Sequence, residues 1–141
     1  MKASVRWVDG MMFEATADSG HTVTIDGPPD LGGLNRGSRP MELVLMGAGA
    51  CSATDVVSIL AKARQDVTGC VVELEADRAD TVPKVFTRIH MHYVVTGRNL
   101  KPAAVERAVS LSTDKYCSAT RMLEKTAVVT HDFEIREEGT N

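Results

Sequence analysis

Aromatic side chains are scarce: three Phe, two Tyr and one Trp among 141 residues. That is too few for an aromatic platform on which nucleic-acid bases could stack. Cationic surplus is missing as well, since the formal net charge is -3 and the isoelectric point about 5.8. Nothing therefore points to nucleic acid or an anionic membrane surface as partner. No basic and then apolar leader opens the chain, which starts MKASVRWVDG and turns polar at once. Cysteine is limited to Cys51, Cys70 and Cys117, with no CxxC or Cys-x-His pair. A closed zinc site thus has no support, and three cysteines without a leader fit a reducing, cytoplasmic compartment better than a structural disulfide. The apolar run Met41 to Ala63 is long enough to raise the question of a membrane span. It holds Glu42, Asp55, Lys62 and two glycines, which favours a buried helix of a soluble protein.

What is present reads as one globular domain over residues 1–141, with 43% hydrophobic and 25% charged residues. Alternation predicts strands over Ala3 to Val8 and Met12 to Ala17, joined at Asp9-Gly10, then His21 to Ile25 after Asp18-Ser19-Gly20. From Asp26 to Pro40 (DGPPDLGGLNRGSRP) three prolines, four glycines and two arginines in fifteen residues predict a long irregular loop, of the kind that tends to be functional or disordered. A helix follows to Ala63, with Ser38 a candidate N-cap, Pro40 in its first turn and Glu42 near its positive end. It is apolar on most sides except a stripe at Thr54, Ser58 and Lys62, with Asp55 beside it. Such a helix needs cover from a sheet or another helix, for instance one from a second subunit.

Val72 to Asp77 alternates again, and after Thr81-Val82-Pro83 the residues Val85, Thr87, Ile89, Met91, Tyr93 and Val95 form one strand face. A helix opens at Pro102 with Val105, Ala108, Val109 and Ser112 on one side and stops near Tyr116-Cys117-Ser118. Ser118 then caps a short helix, and a last strand aligns Val129, His131, Phe133 and Ile135. The order βββ, α, ββ, αα, β is that of an α+β fold with a largely antiparallel sheet.

The candidate chemistry lies with the cysteines. Cys51 sits in GAGACSATD, a run of very small residues within the long helix, and Cys117 at the junction of the two later helices. Small neighbours give a substrate or second sulfur access, and a thiolate near a helix N-terminus gains from the dipole. Alternatively each is a packed thiol behaving as a small hydrophobe. Asp55, one turn after Cys51, would raise rather than lower a thiol pKa. Cys70 reads as a packed residue starting a strand, and His21 and His131 as isolated structural histidines. His90 and His92 share a strand face and could reach one metal, but an exposed face opposite Glu73, Glu75 and Asp77 explains them, so no metal site is assigned.

The block from Pro40 through MELVLMGAGA to Cys51, with Tyr116-Cys117-Ser118 downstream, resembles the OsmC/Ohr family of thiol peroxidases, and within it the YhfA-like branch. The shared features are a Pro-x-x-Leu helix start, a small-residue run, a cysteine on the central helix and a second before a short helix near the C-terminus. The resemblance implies sheets packed on long central helices in an intertwined homodimer, with the reactive site at the subunit interface. It implies that Cys51 is the thiolate that reduces a hydroperoxide, that Cys117 resolves its sulfenic acid to a disulfide, and that an external dithiol reductant, with no cofactor, restores both. In the family's peroxidases a Glu follows the helix-start proline. Here that position is Met41, and Glu42 comes one step later, about 100° round the helix. Their activating arginine comes from the first hairpin, where Asp9-Gly-Met-Met-Phe13 holds none. Arg36 and Arg39 are the candidate replacements, or else solvated loop residues. Met11, Met12, Met41 and Met46 are candidates for an apolar hydroperoxide pocket, or core filling. A non-catalytic dimer of this fold that binds a small ligand or senses redox state is the alternative from another class.

Overall fold

The computed structural model describes residues 1–139. The chain divides into two compact units, Met1–Met46 and Gly47 onward.

The first unit carries an antiparallel sheet in the order β1-β2-β3, with β1 at Ala3–Asp9, β2 at Met12–Ala17 and β3 at Thr22–Ile25. The tight β1–β2 turn uses Gly10 at φ 50°, and Trp7 on β1 faces Phe13 on β2. The long loop after β3 is ordered by one carboxylate. Asp26, buried in an otherwise polar segment, accepts from the amides of Gly27 (2.8 Å), Leu34 (3.3 Å) and Arg36 (3.1 Å), and from Arg36 Nε at 2.8 Å. Arg36 reaches on to Asp9 Oδ1 at 2.8 Å, tying the loop to the end of β1. That guanidinium, aided by the backbone donors, holds the Asp26 carboxyl well below its ordinary value, at about 2.

Helix α1 spans Pro40–Lys62 and crosses the junction of the units. Pro40 opens it, and the Glu42 carboxylate accepts from the Arg39 amide at 2.8 Å, one half of a capping box. The cap position is therefore Arg39 rather than Ser38, whose carbonyl instead accepts from the Asp26 amide at 3.2 Å.

The second unit is built on a sheet of order β4-β5-β6, with β4 at Asp66–Arg78, β5 at Phe86–Arg98 and β6 at Val128–Glu137. β4 and β5 are antiparallel, as the alternation predicts, but β6 runs parallel to β5. The intervening chain makes that return. It forms α2 (Pro102–Leu111), a π-helical turn (Ser112–Tyr116) and α3 (Ser118–Leu123).

Ile89, Met91, Tyr93 and Val95 of β5 face inward and are buried, as the period-2 pattern requires, whereas Val85 and Thr87 are exposed: the register shifts opposite Thr87, and Phe86 is buried instead. Against them lies one stripe of α1, Ala48, Ser52, Val56 and Leu60, spaced by a helical turn. Burying a Val or Leu of this kind stabilises by roughly 1.5–3 kcal/mol. Gly49 permits the close approach, because a Cβ there would lie 2.7 Å from Leu74 Cδ1 of β4. The rest of α1 is less covered, and Val44, Met46 and Val57 stay exposed. By length and composition α1 could cross a membrane; its buried stripe lies on a sheet, as in a core helix.

Gly97 sits one residue before β5 stops at Arg98. It is within β5, between Val67 and Glu137 in register, and a Cβ there would meet the Asp66 carbonyl oxygen at 2.2 Å. Backbone cannot yield as a side-chain tip can. Gly97→Ala is expected to destabilise the protein by about 1–3 kcal/mol, read as a lowered urea midpoint with an unchanged slope.

Candidate active site

Cys51 lies in the middle of α1, partly accessible, so the helix dipole does not act on it as it would at a terminus. Cys117 is fully buried in the short passage between the π-helical turn and α3. There it replaces Ser118 as the N-cap of α3. Its sulfur accepts from the Thr120 amide at 3.4 Å and from Thr120 Oγ1 at 3.0 Å. The two elements bring the Cys51 and Cys117 side chains close enough to interact, and Cys117 Sγ donates to the Ala48 carbonyl at 3.9 Å. Both thiols are free. Burial pushes the Cys117 thiol above its ordinary value; the Thr120 donors oppose this and Cys51 reinforces it.

Beneath the pair runs a row of buried polar groups. Ser52, the neighbour of Cys51, hydrogen-bonds the Tyr93 hydroxyl and lies 2.7 Å from Ser112 Oγ, which donates to Asp55 Oδ2 at 3.0 Å. Asp55 thus faces a hydroxyl donor. Burial, with Cys117, Cys70 and Asp55 nearby, pushes the Tyr93 phenol up to about 12 against the pull of Ser52, so it stays protonated. Asp55 also lines an open groove of about 640 Å³ with Ile59, Lys62, Arg107, Leu111 and Tyr116.

Sequence reasoning passes over Ser52, Tyr93, Ser112 and Thr120. A signal exists for Tyr93: a phenol between Met91 and Val95 on a buried strand face needs a partner for its hydroxyl. The other three are ordinary small polar residues until the fold assembles them.

The remaining candidates are engaged elsewhere. Arg36 is held by Asp9 and Asp26, and Arg39 Nη1 donates to Asn35 Oδ1 at 2.6 Å and to the Gly37 carbonyl at 3.1 Å. Glu42 caps α1. Met11 packs over the loop glycines Gly27 and Gly32, Met12 and Met41 are half-buried, and Met46 is exposed. Cys70 is half-buried opposite Val95, and burial raises its thiol.

His90 and His92 lie on the outer face of β5, opposite Glu75 and Glu73 as expected, but their partners come from β6. His92 Nδ1 meets Asp132 at 2.7 Å and Nε2 meets Glu134 at 3.1 Å, while His90 takes Thr130 and Asp132. Among the described residues no group of three His, Cys, Asp or Glu is disposed to hold a metal ion.

With this geometry in hand, the chain can be set against known proteins. The model of the family described as OsmC-like protein matches residues 33–132. The chain belongs to the OsmC-like family. Protein YhfA of Escherichia coli K12 is 50% identical over 135 residues, covering 96% of this chain and 98% of that protein. A hypothetical protein from Aquifex aeolicus has a solved structure at 31% identity and TM-score 0.85, with 97% and 96% of the two chains covered. A Legionella pneumophila structure described as an organic hydroperoxide resistance protein OsmC shares the fold at 18% identity and TM-score 0.71, with 94% and 95% covered. The OsmC-like fold of mixed helix and sheet is thus the α+β arrangement read from the sequence.

The His92 cluster gives this OsmC-like chain a pH signature. Hydrogen bonds that His92 donates to Asp132 and Glu134 raise its pKa above the ordinary 6.5, so its contribution is full below that value and lost as pH rises through the folded value. Asp132 and Glu134 are lowered, so theirs is present above ordinary carboxylate values and lost as pH falls. The stabilisation is therefore greatest between about pH 4.5 and 6.5. The melting temperature of His92→Gln is expected to fall below wild type most near pH 6 and to converge on it by pH 9, as thermal melts across pH will measure.

Proposed function

We propose that this protein is a cysteine-based thiol peroxidase that reduces organic hydroperoxides, with Cys51 as attacking thiolate and Cys117 as resolving thiol. The observation that carries the reading is the nearness of these two side chains, one partly accessible and one buried, with the Cys117 sulfur set against the α1 backbone at Ala48. In the first step the Cys51 sulfur attacks the terminal peroxide oxygen. The O–O bond breaks, the alkoxide takes up a proton and leaves as alcohol, and Cys51 becomes a sulfenic acid. In the second, the Cys117 sulfur attacks the Cys51 sulfur, the S–O bond breaks, and hydroxide leaves as water with the Cys117 proton. An external dithiol then reduces the disulfide by exchange, itself becoming oxidised, and no cofactor takes part.

The surroundings favour this division of labour. Burial keeps Cys117 protonated, so its S–H is available as a donor, and an ionised Cys51 sulfur is a better acceptor than the Ala48 carbonyl. That donor supports the Cys51 thiolate in a chain whose loop arginines are committed to other acceptors. Thr120, donating twice to the Cys117 sulfur, orients it for the second step. We read the working form as a cytoplasmic homodimer in which a second copy covers the exposed apolar side of α1.

The test is to treat reduced protein with one equivalent of cumene hydroperoxide and to follow peroxide loss and thiol state by mass spectrometry. A Cys51–Cys117 disulfide is expected in wild type. Cys51→Ser should consume no peroxide above the protein-free rate, and Cys117→Ser should stop at a sulfenic acid that dimedone traps. An unchanged peroxide level with both thiols intact would defeat the proposal. Thermal stabilisation by the hydroperoxide without turnover would favour instead a ligand-binding protein of the same fold.

A further inference from the structure

The polar row beneath the cysteines has a direction that donor counting fixes. Tyr93, Ser52 and Ser112 bring three hydroxyl hydrogens to three links, and the row ends on the Asp55 carboxylate, which only accepts. Ser112 therefore donates to Asp55, Ser52 to Ser112, and Tyr93 to Ser52. The competing acceptors are weaker: the Ser52 carbonyl lies 3.2 Å from Ser112 Oγ, and Met91 Sδ is 3.9 Å from the Tyr93 hydroxyl. Tyr93, Ser52 and Ser112 have no solvent exposure, so breaking any link leaves a buried group unpaired.

The row is attached next to both cysteines. Ser52 follows Cys51 in α1. Ser112 accepts, through its carbonyl, from the Cys117 amide at 2.8 Å, the bond that closes the π-helical turn. Tyr93 supplies the fixed point, since its ring is wholly buried in β5. Three elements are thereby held together at the positions from which the two sulfurs project.

We propose that the Tyr93–Ser52–Ser112–Asp55 chain is a positioning network that keeps the Cys51 and Cys117 sulfurs at bonding approach and so sets the reduction potential of the pair. This rests on the reading of the pair as redox-active. Two free thiols held near each other have a high effective concentration for each other, and loosening either support lowers it. The disulfide then becomes easier to reduce.

The experiment equilibrates the full-length protein with oxidised and reduced glutathione. One oxidised glutathione takes the two electrons and two protons of the thiol pair and gives two reduced glutathiones. The fraction of Cys51–Cys117 disulfide is read by alkylation and mass spectrometry. Tyr93→Phe keeps the ring and removes only the hydroxyl; Ser112→Ala removes two links. Each is expected to lower the equilibrium constant for the disulfide about tenfold, close to 30 mV for a two-electron couple. Val105→Ala is the control, since Val105 is buried in α2 and, being apolar, makes none of the network's hydrogen bonds. It should lower the melting temperature and leave the constant within twofold of wild type. Tyr93→Phe and Ser112→Ala constants within twofold of wild type, or an equal shift in Val105→Ala, would overturn this proposal alone. No disulfide in wild type at any glutathione ratio would overturn the reading of the pair, and this proposal with it.

Discussion

The approach of α1 to the β4–β5–β6 sheet is the constraint on which the site depends. The stripe Ala48, Ser52, Val56 and Leu60 is narrow and its upper half is small, so the helix axis comes close to β5 where Cys51 sits and larger side chains fill the space farther along. Gly49 against Leu74 belongs to the same arrangement. A wider stripe would hold the Ser52 hydroxyl out of reach of Tyr93. The small-residue run around Cys51 is thus explained at two levels. Ala48, Gly49 and Ser52 serve packing, whereas a Cβ at Gly47 would meet nothing within 4 Å.

Charge is distributed differently in the two units. In the first, Arg36 with Asp9 and Asp26 fixes a loop rich in proline and glycine, and Glu42 with the Arg39 amide starts α1. In the second, the surroundings of the cysteines are mostly neutral hydroxyls and amides, with Asp55 set at the end of the row. Neutral donors in a buried place retain much of their strength, because no water competes for them.

Most of the fold was legible from periodicity. The faces of β5 from Ile89 onward, the buried side of α2 and the extent of α1 follow from spacing alone, while the register shift that buries Phe86 in place of Thr87 does not. The direction of β6 was not, since Val129, His131, Phe133 and Ile135 alternate identically in either sense and only the return path decides. The two caps were misassigned for a related reason. Ser38 and Ser118 are good capping residues by type, but the Pro40 start and the Cys117 sulfur placed the caps one residue away from each. At the site, Cys51 and Cys117 could be singled out because few cysteines compete with them. Thr120, Ser52 and Ser112 could not, because a small hydroxyl gains meaning only from the atoms that tertiary structure puts beside it.

Cys117 has one property that its sequence context hides. Its sulfur is the acceptor that caps the first turn of α3, a helix of six residues. Any bond that draws this sulfur toward Cys51 withdraws it from Thr120 and leaves a main-chain amide without a partner in a buried place. On the proposed redox role of the pair, its electron count and the local melting of α3 are not independent quantities: the short helix is a mechanical indicator fastened to the two sulfurs.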